Sequence, residues 1–179
     1  MKKIIIIGIG ILIIGIWFFI GSGGSSDTSI KTKVNDFDRL ASLSLIDYRG
    51  NVVSLEKFRG TPLVVNSWAV WCPFCRQELP DFAELQKEFD ERVVVIAIDR
   101  QEPLEKAKGY TDELGITDNM LFLLDSDDSF YKSLGGFSMP ETVFINREGE
   151  IVVHKRGPMD LNEMREHANK IIHANDTSL

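Results

Sequence analysis

Cys72-Pro73-Phe74-Cys75 holds the only two cysteines in the 179 residues. Sulfurs three positions apart fit one helical turn, where they can close and open a disulfide. A helix N-terminus adds exposed N–H groups and positive partial charge, which favour a thiolate at the first position. In that arrangement Cys72 is the nucleophile and Cys75, one turn further in, the resolving thiol. A bridge closing so short a loop contributes little chain-entropy stabilisation, so its use lies in opening and closing. Half of a zinc site and a pair of inert core cysteines are the competing readings. A structural zinc needs four ligands, and the remaining histidines, His154, His167 and His173, are late and irregularly spaced. No metal and no other cofactor is expected.

This chemistry needs a strand to deliver the first cysteine and a helix to receive the second. Leu63 to Ser67 (LVVNS) is too apolar for a sheet edge and reads as a central strand. Pro73 suits the first turn of a helix that runs to about Phe89, with Pro80 interrupting its ladder. Arg92 to Ile98 reads as a second central strand, and Leu104 to Leu114 as an amphipathic helix closed by Gly115. Leu121 to Leu124 is a short strand and Ser129 to Leu134 a short helix. Leu43 to Tyr48 with Asn51 to Ser54, and Thr142 to Asn146 with Ile151 to Lys155, read as hairpins. Asp160 caps a last helix reaching about His173. Alternating strands and helices that end in a hairpin mean an α/β domain with a mixed sheet. Of the two tryptophans beside the cysteines, Trp68 reads as packing and Trp71 as bordering the sulfurs. Arg76 reads as a solvated charge.

Ile4 to Ile20 is 17 residues without a charge, preceded by Lys2 and Lys3. That length fits a short membrane span or a long signal-peptide core, and the two lysines favour a cytoplasmic N-terminus with the rest outside. Residues 1–21 are therefore a transmembrane anchor or a signal segment, 22–35 a Gly/Ser-rich linker, 36–174 one domain, and 175–179 a tail. The formal charge of −7 divides into +3 over residues 1–35 and −10 over the remainder. An acidic domain is a poor nucleic-acid binder, and it favours partners that are neutral or basic near their disulfide.

Val64 to Leu85 (VVNSWAVWCPFCRQELPDFAEL) and Gly136 to Ile151 (GFSMPETVFINREGEI) together resemble the thioredoxin fold, in the membrane-anchored TlpA/ResA/DsbE branch of thiol-disulfide oxidoreductases. The likeness covers about residues 36–173. It rests on Trp-Cys-x-x-Cys, a proline five positions on, and Pro140 before an apolar strand. Pro73 and Pro140-Glu141-Thr142 are most similar to the DsbE-type reductases of cytochrome c maturation, whereas Phe74 and Ser138-Met139 depart from them.

The resemblance implies an α/β thioredoxin-like fold, with a mixed sheet flanked by helices, an N-terminal hairpin and a single N-terminal transmembrane segment. Pro140 matches the cis-proline beside the sulfurs, which leaves the Met139 backbone to pair with an extended substrate. Glu78 matches an acid placed beside the cysteines, with a raised pKa and a proton-exchanging role toward Cys75. Asn66 stands where thioredoxin has a buried aspartate. Trp71, Pro73, Phe74 and Met139 are the expected substrate-facing residues. The implied activity is reduction of partner disulfides by a monomer outside the cytoplasm, with electrons resupplied through a membrane-embedded donor. Disulfide donation to secreted proteins and a non-enzymatic tethered binding module are the alternatives.

Overall fold

The computed structural model describes residues 36–173. The apolar segment, the linker and the tail expected from the sequence lie outside them. Among the described residues no helix is long and apolar enough to cross a membrane.

The elements follow in the order α1 (Asp36–Ala41), β1 (Leu45–Asp47), β2 (Val52–Val53), β3 (Leu63–Trp68), α2 (Pro73–Phe89), β4 (Val94–Arg100), α3 (Leu104–Glu113), β5 (Leu121–Asp125), α4 (Ser129–Ser133), β6 (Glu141–Ile145), β7 (Ile151–Arg156) and α5 (Leu161–Ile172). One seven-stranded sheet has the order β2-β1-β5-β4-β3-β6-β7. β3, β4 and β5 run parallel and the outer pairings are antiparallel, which makes the sheet mixed. The two strands read as central, β3 and β4, lie beside one another in the middle.

Alternation along the strands sorts side chains to two faces. Leu63, Val65, Ile96, Ile98, Val143 and Ile145 pack with Phe37, Leu40 and Phe130 on one face. On the other, Val64, Val95 and Phe144 meet Phe82 and Leu85 of α2 and Met164 and Ala168 of α5. Trp68, Ala97 and Phe122 continue that second face toward the cysteines and Ala107 of α3. Trp68 is fully buried, with its ring edge-on to Phe122 at 6.1 Å. Trp68→Ala should lower unfolding free energy by about 3–5 kcal/mol, the cost of deleting a large aromatic from a packed core. Chemical denaturation of the full chain measures it.

Several boundaries differ from the sequence reading. β4 begins at Val94 rather than Arg92, because Gln86 of α2 reaches round to the Asp90 and Val93 carbonyls and to the Val95 N–H. These bonds hold residues 90–93 in a short 3₁₀ turn and loop. β4 also runs on to Arg100, where Asp99 and Arg100 pair with Leu124 and Asp125. The helix α1 has no counterpart in the sequence reading; it buries Phe37, Leu40 and Ala41 within only six residues. Pro80 removes one rung of the α2 ladder, and the helix nevertheless continues to Phe89.

Candidate active site

β3 ends at Trp68, and a three-residue connection delivers Cys72 to the mouth of α2. Cys72 is the N-cap of that helix, with extended backbone and Pro73 in the first turn. Its Sγ accepts the Cys75 N–H at 3.2 Å, so a sulfur occupies the place where a serine or aspartate oxygen usually satisfies a free helix donor. The first turn of α2 carries no acidic side chain that would oppose a thiolate there. Cys72 and Cys75 form a disulfide, with 2.21 Å between the sulfurs. Cys75 is completely buried and Cys72 keeps only 3% exposure, so an attacking group can approach from the Cys72 side alone.

The residues read as substrate-facing surround that opening. Trp71 and Phe74 are more than half exposed, at 56% and 53%. Pro73 is exposed and Met139 half-buried, with Met139 packed against the cluster that includes both cysteines. The Met139–Pro140 peptide is cis and Pro140 is buried. The Pro140 carbonyl accepts the Gly157 N–H at 2.9 Å, tying the loop to the end of β7. Arg76 is exposed, with its guanidinium 5.5 Å from the Tyr110 ring centre.

Glu78 lies one turn past Cys75 on the inward side of α2 and is 2% exposed. Its Oε1 accepts from Asn66 Nδ2 at 3.0 Å and its Oε2 from the Met159 N–H at 3.3 Å. Asn66 Nδ2 also donates to Thr142 Oγ1 at 3.0 Å, so a buried polar chain crosses from β6 through β3 to α2. Burial pushes the Glu78 carboxyl up to about 8, against the opposing pull of the Met159 and Asn66 hydrogen bonds. At neutral pH this group holds a proton it can exchange.

The structure adds residues that sequence reasoning passed over. Glu141, directly after Pro140, is fully buried on the sheet face away from α2. His154 Nε2 lies 2.7 Å from its Oε1, and Arg156 Nε donates to the same oxygen at 3.2 Å. The Arg156 guanidinium stands 5.6 Å from the ring centre of Phe137, which is 81% exposed. Phe137 follows Gly136, whose φ is +60° and where a Cβ would stand 3.2 Å from the Tyr131 ring. Arg100 pairs with Asp128 through two 2.6 Å contacts and lies 3.4 Å from the Tyr131 ring centre. Its guanidinium is 6.0 Å from the Trp71 ring. In the sequence Phe137 stands three residues before Pro140.

The Redoxin family profile matches residues 31–172, most of the chain and both halves of this site. The chain belongs to the Redoxin family. Within that family it is 25% identical over 126 residues to the thiol-disulfide oxidoreductase ResA of Bacillus thuringiensis subsp. konkukian, covering 70% of this chain and 72% of that one. It is 34% identical over 105 residues to the thiol:disulfide interchange protein DsbE of Haemophilus influenzae, covering 59% and 55%. A secreted Mycobacterium tuberculosis disulfide oxidoreductase superposes with a TM-score of 0.66 over 74% of this chain and 97% of its own; at 20% identity that likeness speaks for the thioredoxin-like fold. Relatives of both kinds are named for thiol–disulfide chemistry. With a disulfide-bonded cysteine pair at Cys72 and Cys75, this Redoxin-family protein is a thiol-disulfide oxidoreductase of the ResA/DsbE type.

Proposed function

We propose that the protein reduces disulfides of partner proteins outside the cytoplasm, held at the membrane by residues 1–21 and recharged by a membrane-embedded electron donor. The observation that carries this reading is the asymmetry of the disulfide: Cys72 at the helix mouth on the open side, Cys75 sealed beneath it. In the reduced protein the Cys72 thiolate attacks a sulfur of the partner disulfide and the other partner sulfur leaves as a thiolate. Cys75 then attacks Cys72 in the mixed disulfide, releasing the second partner thiol and leaving the enzyme oxidised. Glu78 takes the Cys75 proton during that second attack. Trp71, Pro73, Phe74 and Met139 form the surface against which the partner segment lies.

The direction of transfer follows from what stabilises the reduced pair. Strong oxidants owe their potential to a stabilised reduced form. Here Cys72 Sγ accepts one backbone N–H and the sulfur below it is sealed in an apolar cluster that also contains Trp68, Leu79 and Ala97. Apolar burial disfavours a thiolate at Cys75, and the less the reduced pair is stabilised the better it donates electrons. The similarity to DsbE makes an apocytochrome c or a protein that carries it the substrate class of first choice. Equilibration of the full chain with glutathione and dithiothreitol buffers should return a potential closer to thioredoxin's, about −270 mV, than to the roughly −120 mV of strong oxidants. A value near −120 mV would make it a disulfide donor.

A further inference from the structure

A second pair of buried acids, on β4 and the loop after it, takes no part in the exchange steps above. Asp99 is completely buried, and its Oδ1 accepts the Glu102 N–H at 3.1 Å. Its Oδ2 is buried without any donor. Glu102, whose side chain is 5% exposed, accepts the Val70 N–H on Oε2 at 2.6 Å and has Lys106 Nζ 2.5 Å from Oε1. Val70 belongs to the three-residue connection between β3 and Cys72. The acid pair therefore grips the backbone that carries Trp71 and the nucleophile.

An ionised Asp99 would leave a desolvated anionic oxygen with nothing to answer it, beside a second carboxylate. A protonated Asp99 makes Oδ2 a donor whose hydrogen bond the carboxylate of Glu102, whose own N–H already reaches Asp99 Oδ1, can accept. We propose that Asp99 holds one proton against the Glu102 carboxylate and so acts as a positioning residue, keeping Glu102 on the Val70 N–H and the Cys72 loop in place. Loss of that proton sets two buried carboxylates against each other and frees the loop.

The electrostatics run the same way. Burial, then the hydrogen bond to Glu102, pushes the Asp99 carboxyl up to about 8. Burial works on Glu102 too, but Lys106, the Val70 N–H and Asp99 together hold its carboxyl below the usual range. One acid of the pair keeps the proton and the other the charge. The groups facing the pair from neighbouring elements are Lys106 of α3 and Tyr48 after β1, whose phenol burial pushes upward. Asp112 of α3 acts on Tyr48 and is itself paired with Lys108 at 2.5 Å. The inference depends on the reductase reading only for its consequence at Cys72; the grip on Val70 is independent of it.

Hydrogen exchange of the Val70 amide in the oxidised full chain tests it, because the disulfide sulfurs do not titrate in that form. Between pH 6 and pH 9 the wild-type Val70 rate should exceed the proportionality to hydroxide by about tenfold, with the step near pH 8. Asp99→Asn keeps a donor that cannot ionise and should abolish the step while leaving Val70 protected. Asp99→Ala removes the donor and should leave Val70 unprotected at every pH. Glu102→Gln retains an acceptor without charge and should also lose the step, which keeps the test decisive if the Asp99 variants do not fold. Glu78→Gln should keep the step. A wild type with no step, a step surviving in Asp99→Asn or Glu102→Gln, or one removed by Glu78→Gln overturns the proposal. Failure of wild-type insulin reduction with the step intact would instead count against the reductase reading.

Discussion

Replacing Cys72 by serine is expected to stop insulin reduction by dithiothreitol, a fall of at least about 10⁴-fold, within the range seen when a covalent nucleophile is removed. The size follows from the geometry. Cys75 is sealed beneath Cys72, so no second thiol can take over the first attack. Serine at position 72 can still cap the helix by accepting the Cys75 N–H, as an oxygen does at most helix starts. The Cys72→Ser protein should therefore unfold close to the reduced wild type, which separates loss of chemistry from loss of fold. Full activity in this variant would end the exchange mechanism.

The second large effect falls on Glu78. Burial pushes its carboxyl up to about 8, so under the proposed role as acceptor of the Cys75 proton, resolution is expected to be limited at neutral pH and to improve as pH rises through that value. Glu78→Gln should lower the rate of mixed-disulfide resolution by about 10²-fold, the lower end for general acid–base catalysis, and remove the rise. Stability runs in the opposite direction with pH. The folded protein binds this proton more tightly than the unfolded chain, whose carboxyl titrates near 4.5. The stabilisation is complete below the unfolded pKa and is lost as pH rises from about 4.5 to about 8. Glu78→Gln should flatten that part of the melting-temperature profile. A wild-type resolution rate and an unchanged profile in the variant would remove Glu78 from the mechanism.

The arrangement around the cysteines was legible in sequence where strong local rules apply. LVVNSW is apolar enough to be central, and Pro73 marks the first helical turn, so the strand-to-helix delivery of Cys72 could be read directly. Trp68 and Trp71 separate on the same grounds, since Trp68 continues the alternation of β3 and Trp71 lies beyond its end. What escaped was set by tertiary partners. A charged residue ordinarily ends an apolar run, so the sequence alone predicts a strand that stops at Ile98. Asp99 stays in β4 because it lies beside Trp68 across the parallel register and can keep a proton there. Glu141 looks like a surface charge in a hairpin, yet it is buried because His154 and Arg156 on β7 face it. The start of β4 moved by two residues because of one side chain, Gln86, that contacts backbone seven and nine positions away.

The sealed lower sulfur and the open upper one lead to a single direct test. Full-length Cys75→Ser, reduced and mixed with a disulfide-bonded protein substrate, should accumulate a one-to-one mixed disulfide at Cys72 that dithiothreitol releases and that does not resolve on its own. Peptide mapping by mass spectrometry places the adduct. No adduct at Cys72, or an equal yield through Cys75 in the Cys72→Ser protein, would contradict the account.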